Sequence, residues 1–103
     1  MMNIIQNRNN NQLVIALEGR LDISTAPDLD KVVNNDLDGV TELVFDLEKL
    51  YYISSVGLRV LLFAQKKMNR QGSMKVINVN EMVMDVFAAM GFADIMKIEL
   101  KNN

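Results

Sequence analysis

The chain contains neither cysteine nor histidine among its 103 residues. Without cysteine there is no disulfide, no thiolate metal site and no cysteine nucleophile. Without histidine there is no Ser-His-Asp hydrolysis, no histidine metal ligand and no phosphohistidine relay. Because these chemistries depend on the residues themselves, their absence excludes several classes of enzyme and metal-binding protein.

Long apolar runs and strong net charge are also missing. No stretch approaches the ~20 apolar residues that span a bilayer, and residues 1–11 lack the features of a signal peptide or anchor. The formal net charge is −2 without a basic cluster, so we expect no binding to nucleic acid. The five glycines stand singly, which excludes a Walker or Rossmann phosphate loop. We therefore expect a cytoplasmic protein without a cofactor.

Apolar residues make up 50% of the chain, which is enough for a hydrophobic core, and the length predicts one domain over residues 1–103. The pattern alternates between strand and helix periods in the order strand, strand, helix, strand, helix, strand, helix, strand. This order is typical of an α/β domain: a mixed sheet with parallel central strands and helices packed against it. The tail 101–103 is expected to fray.

Turn and capping residues give the predicted boundaries. Ser24 or Thr25 caps a first helix that Gly39 ends, and Asn80 caps the third. The second helix begins after the serine pair at 54–55 and ends near 71. Strands are predicted at 4–5, 12–18, 43–47, 74–79 and 95–100, with a strand end at 50–53 and a turn at 7–11.

Ser54 and Ser55 lie where the apolar run 50–53 changes into a helical pattern. The first turn of a helix has unsatisfied N–H groups and a positive dipole end, so it suits an anion. A serine there can cap the helix, or it can accept a phosphoryl group, and the two interpretations are compatible. The first glycine of a nucleophile elbow is absent, so we reject that motif.

Two other sets of residues have open interpretations. Asp22, Asp46 and Glu48 are predicted to follow strands, where acids can bind Mg²⁺ or accept a phosphoryl group, or simply hydrogen-bond backbone amides. Val56 and Phe63 fall on a basic face of the second helix. They are either ordinary exposed apolar residues or part of a docking surface.

The chain resembles the STAS family, and in particular its small members, the bacterial anti-sigma factor antagonists. The segments that carry the resemblance are 19–22, 25–27, 45–47 and, most specifically, the serine-serine-x-glycine-leucine junction at 54–58. The similarity covers nearly the whole chain. Many members have aspartate where this chain has Ser54.

The resemblance implies a non-catalytic partner switch with Ser55 as phosphoacceptor and Ser54 as a second candidate. The unphosphorylated form would bind an anti-sigma factor that is also a serine kinase and so free a sigma factor. A metal-dependent phosphatase would reverse the phosphorylation. The expected partner surface comprises Asp22, Ser24, Thr25, Ser54, Val56, Arg59 and Phe63. We expect a monomer.

Three alternatives stay open at this point, one of them an enzyme or nucleotide-binding domain that uses Asp46. The chain could be a non-catalytic subunit of a membrane transporter complex, in which case the serine only caps a helix. It could also be a partner switch with an output other than a sigma factor.

Overall fold

A computed structural model describes residues 1–101, which form a five-stranded mixed sheet and three helices. The element order is β1 (Met2–Asn9), β2 (Gln12–Leu21), α1 (Ala26–Asn35), β3 (Glu42–Ile53), α2 (Ser55–Gln71), β4 (Ser73–Val79), α3 (Glu81–Ala89) and β5 (Lys97–Leu100). This confirms the predicted order of strands and helices. None of the helices in this part of the chain combines the length and the apolarity that crossing a bilayer requires.

The strands follow one another across the sheet in chain order. β1 runs antiparallel to β2, and the pairs β2–β3, β3–β4 and β4–β5 are parallel. Apolar residues of all three helices and of one sheet face form a single core. Val44 points to the other face and, although only 3% exposed, stays outside this core. The helices therefore cover one face and leave the other without a helical layer.

The first hairpin differs from its prediction. The polar residues at 7–9 belong to β1, because Arg8 pairs with Leu13 and Asn9 with Gln12. The turn is limited to Asn10 and Asn11, and Asn10 has a φ of 56°. Asparagine tolerates this left-handed conformation, so pairing with β2 outweighs the polar composition of the segment.

The long strand β3 joins two segments that the sequence predicted separately, 43–47 and 50–53. Its register with β2 shifts between Ala16 and Glu18 and again between Gly19 and Arg20. Each shift places an extra residue in β3, so the spacing of its buried side chains changes from two to three. Because these shifts break the alternation of buried and exposed residues, the sequence pattern predicted two segments where the structure has one continuous strand.

Helix and strand ends account for the remaining corrections. α1 ends at Asn35, before Gly39, although Leu37 beyond it is still buried. Asn80 caps α3 as predicted, since its side chain accepts a hydrogen bond from the Val83 N–H. β5 is two residues shorter than predicted. Residues 102–103 of the predicted frayed tail lie outside the described residues, and the Lys101 N–H donates to the Val79 carbonyl.

Gly57 allows the start of α2 to lie directly on the end of β2. A Cβ atom at position 57 would lie 2.5 Å from Leu21 Cγ and 3.0 Å from the Leu21 carbonyl oxygen. Both residues are buried, and Leu21 is 0% exposed. Any side chain at position 57 would therefore push the helix away from the strand.

We predict that Gly57→Ala destabilises the domain by about 1–2 kcal/mol, even though alanine favours a helix by about 1 kcal/mol over glycine. Denaturant unfolding measures the change. The exposed position Lys66 on the same helix supplies the control, because Lys66→Ala should alter stability by less than about 0.5 kcal/mol. Adding Leu21→Ala should make the cost of Gly57→Ala smaller; purely additive losses would contradict the steric explanation.

Candidate functional site

Two chain segments meet at one edge of the sheet because β2 and β3 are parallel and pair to their last residues. Leu21 pairs with Ile53, so the loop after β2 and the junction after β3 emerge side by side. The Ser54 N–H donates to the Leu21 carbonyl at 2.9 Å and joins them directly. The predicted site residues of both segments are therefore neighbours.

The two serines at the junction have different surroundings. Ser54 is the N-cap of α2, with an extended backbone, and its Oγ accepts a hydrogen bond from the Gly57 N–H at 3.2 Å. Ser55 is the first residue of the helix and is exposed, and its hydroxyl takes no part in this cap. Capping thus occupies one hydroxyl and leaves the other facing solvent.

The charge around Ser55 favours an anion. The first turn of α2 contains no acid, and Arg59 is exposed four residues after Ser55. Side chains four apart on a helix are neighbours, with Cβ atoms about 5–6 Å apart. A phosphoryl group on Ser55 would have the positive end of the helix dipole and the Arg59 guanidinium within reach.

Asp22 organises the loop after β2. Its Oδ1 accepts hydrogen bonds from the Ser24 hydroxyl at 2.7 Å and from the Ser24 N–H at 3.0 Å. These bonds, with the Ser24 hydroxyl contributing most and Thr25 also involved, hold the pKa of Asp22 at about 2. Arg20 lies 3.7 Å from the same carboxylate and stacks on the Tyr52 ring at 4.3 Å. The loop therefore carries a fixed negative charge at neutral pH.

Thr25 has the predicted position at the start of α1, but its side chain has a different role. It is the N-cap residue of α1, but its side chain makes no capping bond. Its Oγ1 instead donates to the Arg20 carbonyl at 2.8 Å and accepts from the Asp22 N–H at 2.9 Å. Since Thr25 is only 7% exposed, its side chain stabilises the loop from within, and its contribution to a partner surface stays a prediction.

An open groove of about 450 Å³ lies between α1 and α2 beside the exposed serine. Val56, Arg59 and Phe63 line it, and both apolar residues are exposed, 38% for Val56 and 42% for Phe63. The structure therefore brings these three predicted residues together on one apolar surface. Asp22, Ser24 and Ser54 lie at the neighbouring loop and junction.

Sequence reasoning missed five further residues that line the groove, which are Ile23, Ala26, Pro27, Asp30 and Val60. Ile23 is 74% exposed, an unusual position for a large apolar side chain. A single isoleucine after a turn gives no periodic signal, so nothing in the sequence distinguishes it from a core residue. Asp30 and Arg59 give the groove one charge of each sign.

Asp46 and Glu48 do not follow a strand as predicted, because both lie within β3. The Asp46 Oδ1 accepts from the Glu48 N–H at 3.1 Å and from the Asn78 side-chain amide at 3.0 Å. These bonds stabilise the irregular part of the strand and match the backbone-bonding alternative. Among residues 1–101, no three acidic side chains gather as a metal site would require.

The sequence matches the STAS domain model over residues 3–103. BtrV of Bordetella bronchiseptica, a protein named as an anti-sigma factor antagonist, is 30% identical over 94% of this chain and 85% of its own length. The anti-sigma-B factor antagonist of Bacillus subtilis is 28% identical over 98% of this chain and 94% of its own length.

Solved structures of such antagonists have the same fold. An anti-sigma factor antagonist from Mycobacterium paratuberculosis superimposes with a TM-score of 0.87 over 96% of this chain and 86% of its own, at 20% identity. SpoIIAA in its unphosphorylated form gives 0.80 over 93% and 87%, at 21% identity. The resemblance and the fold class predicted from the sequence are confirmed: the chain belongs to the STAS domain family.

Proposed function

We propose that this chain is an anti-sigma factor antagonist that changes partners through reversible phosphorylation of Ser55 and catalyses no reaction itself. One observation carries the proposal: Ser54 caps α2, while the Ser55 hydroxyl is exposed beside an apolar groove. The names of the relatives support the same function. The unphosphorylated form binds an anti-sigma factor kinase and so frees a sigma factor.

The chemistry at Ser55 belongs to two partners. In the kinase complex, Ser55 Oγ attacks the γ-phosphorus of ATP and loses its proton to a base of the kinase. The bond from this phosphorus to the β–γ bridging oxygen breaks, and ADP leaves. A metal-dependent phosphatase then directs water at the phosphoserine, which releases inorganic phosphate and restores the hydroxyl. This chain supplies only the accessible Ser55 Oγ, which the start of α2 holds in place.

The groove explains how the partner is held before phosphorylation. Ile23, Val56 and Phe63 are exposed apolar side chains that a partner can cover. Arg59 beside them can pair with a partner carboxylate. Covering the apolar residues supplies affinity, while the opposite charges of Asp30 and Arg59 fix the orientation of the partner.

Phosphorylation acts on the interface and leaves the fold intact. The phosphoryl group adds about −1.5 to −2 charges at the junction that the Ser54 N–H joins to Leu21, and the following residue, Asp22, is already ionised. It also competes with the partner for Arg59. A partner fitted to a neutral hydroxyl then meets an unmatched anion, and a loss of about 4 kcal/mol would lower its affinity roughly a thousandfold.

The two serines should differ in their contribution to stability. Ser54→Ala removes the cap of α2 and should lower the free energy of unfolding by about 1 kcal/mol. Ser55→Ala removes an exposed hydroxyl outside the cap, and its effect should stay below about 0.5 kcal/mol. Denaturant unfolding of both variants measures this difference. Equal losses would contradict the division between a capping serine and a free one.

Phosphorylation should be found on Ser55 alone. Protein purified from its own cells should include a form heavier by one phosphoryl group, with the modified residue identified by peptide fragmentation. Ser55→Ala should abolish that form, and Ser54→Ala, which loses the cap but keeps the acceptor, should retain it. A Ser55→Ala protein that is still phosphorylated would place the acceptor elsewhere.

Partner binding should depend on the charge at position 55. Affinity purification from the same cells should recover an ATP-binding kinase with wild-type protein and more of it with Ser55→Ala, which cannot be phosphorylated and released. Ser55→Asp should recover at least about tenfold less, because a carboxylate there reproduces part of the charge conflict. Ser73→Asp adds the same charge at an exposed serine beyond the other end of α2 and should bind normally. Undiminished recovery with a folded Ser55→Asp variant would refute the switch.

A further inference from the structure

Helix α3 has an apolar flank that the core covers only in part, because Val86 packs against the core while Met82 and Met90 are exposed. Val83 and Phe87 bury their side chains, with exposed fractions of 1% and 0%. Met82, Val86 and Met90 follow at intervals of four residues and so lie along one flank of the helix, Met90 being its C-cap residue. Met82 is 61% exposed, Met90 39%, and Val86 is half-buried. We call these three residues the α3 stripe.

The stripe is a separate surface from the groove. The groove is lined by residues of α1, α2 and the loop before α1, and no residue of α3 takes part. Single exposed apolar residues are normal on a protein surface, but here two exposed methionines in one row flank the half-buried Val86, so the apolar surface is continuous along the helix. Two of them are methionines, whose flexible, polarisable side chains adapt to different apolar partners.

The charge beside the stripe restricts what can cover it. Glu81 and Asp85 are exposed on the next flank of α3, one turn apart, and Asp94 follows the helix. Residues 80–96 contain no lysine or arginine at all. The chemistry is the opposite of that of α2, which carries Arg59, Lys66, Lys67 and Arg70. An anionic membrane surface would be repelled, and an acidic partner would be too.

We propose that the α3 stripe, together with Glu81 and Asp85, docks a basic amphipathic helix of a second protein. Apolar side chains of that helix cover Met82, Val86 and Met90, and its lysine or arginine residues pair with the two carboxylates. This docking does not involve Ser55, so it is independent of the phosphorylation state and is compatible with simultaneous occupation of the groove.

The test uses two designed helical peptides with the same leucine stripe, flanked by lysine in one and by glutamate in the other. Methionine methyl groups labelled with ¹³C in the full chain report binding by NMR. The lysine peptide should shift the Met82 and Met90 signals in a saturable way, while the signal of Met68, on the buried face of α2, should not move. The glutamate peptide should bind at least about tenfold more weakly.

Variants locate the binding surface. The double variant Met82→Gln/Val86→Gln should weaken the lysine peptide by at least about tenfold, because it removes the apolar strip. Phe63→Gln makes a matched polar change in the groove and should leave that affinity unchanged. Glu81→Lys/Asp85→Lys should reverse the preference between the two peptides. An unchanged Met68 signal verifies that each variant is folded.

Several results would overturn the proposal. Equal affinity for the two peptides would show that charge does not select the partner. Unchanged affinity of the lysine peptide for Met82→Gln/Val86→Gln would show that the peptide binds elsewhere than on α3. If the Met82 NMR signal shifts with protein concentration in the absence of peptide, the α3 stripe binds a second copy of this chain instead. Shifts of Met82 and Met90 on addition of phosphatidylcholine–phosphatidylglycerol vesicles would make it a lipid surface.

Discussion

The parallel pairing of β2 with β3 up to Leu21 and Ile53 is the constraint on which the site depends. It brings two loops to the same edge of the sheet, and the hydrogen bond from the Ser54 N–H to the Leu21 carbonyl joins them. Gly57 then permits α2 to lie against Leu21 at a distance that no side chain would allow. The exposed serine is thus positioned by the core, since a shift in α2 would require β2 to move as well.

The different roles of the two serines, one capping α2 and one exposed, follow from this rigid junction. A helix start needs one side-chain acceptor, and Ser54 supplies it to the Gly57 N–H. Ser55, one residue later, is exposed to solvent and to any enzyme. We propose that a charge added there, where the local electrostatics are favourable, weakens the partner interface and leaves the fold largely unaffected. Signalling and folding stability can then change independently, which a reversible switch requires.

Much of this arrangement could be predicted from the sequence. The buried stripe of α2 and the exposure of Val56 and Phe63 follow from helical periodicity, which is strong in a helix of 17 residues. The Asn80 cap of α3 follows from the preference for asparagine at helix starts. Strand boundaries were predicted less well, because irregularities in β3 break the alternation on which such predictions rest. Thr25 illustrates a second limit of sequence-based prediction, because its hydroxyl makes hydrogen bonds within the folded loop. It donates to the Arg20 carbonyl and accepts from the Asp22 N–H. The same residue at a helix start would otherwise be expected to cap it.

The distribution of charge over the helices gives the surface its selectivity. α2 places basic residues around its exposed apolar pair, whereas α3 places acids beside its stripe and the segment 80–96 has no cation. A partner whose charges complement α2 does not complement α3. Like charges across an interface cost free energy, whereas opposite charges guide association. A phosphoryl group on Ser55 changes the sign of the charge at the start of α2 only. Since exposed charges are screened beyond about 8 Å at physiological ionic strength, its effect should decline steeply with distance from Ser55.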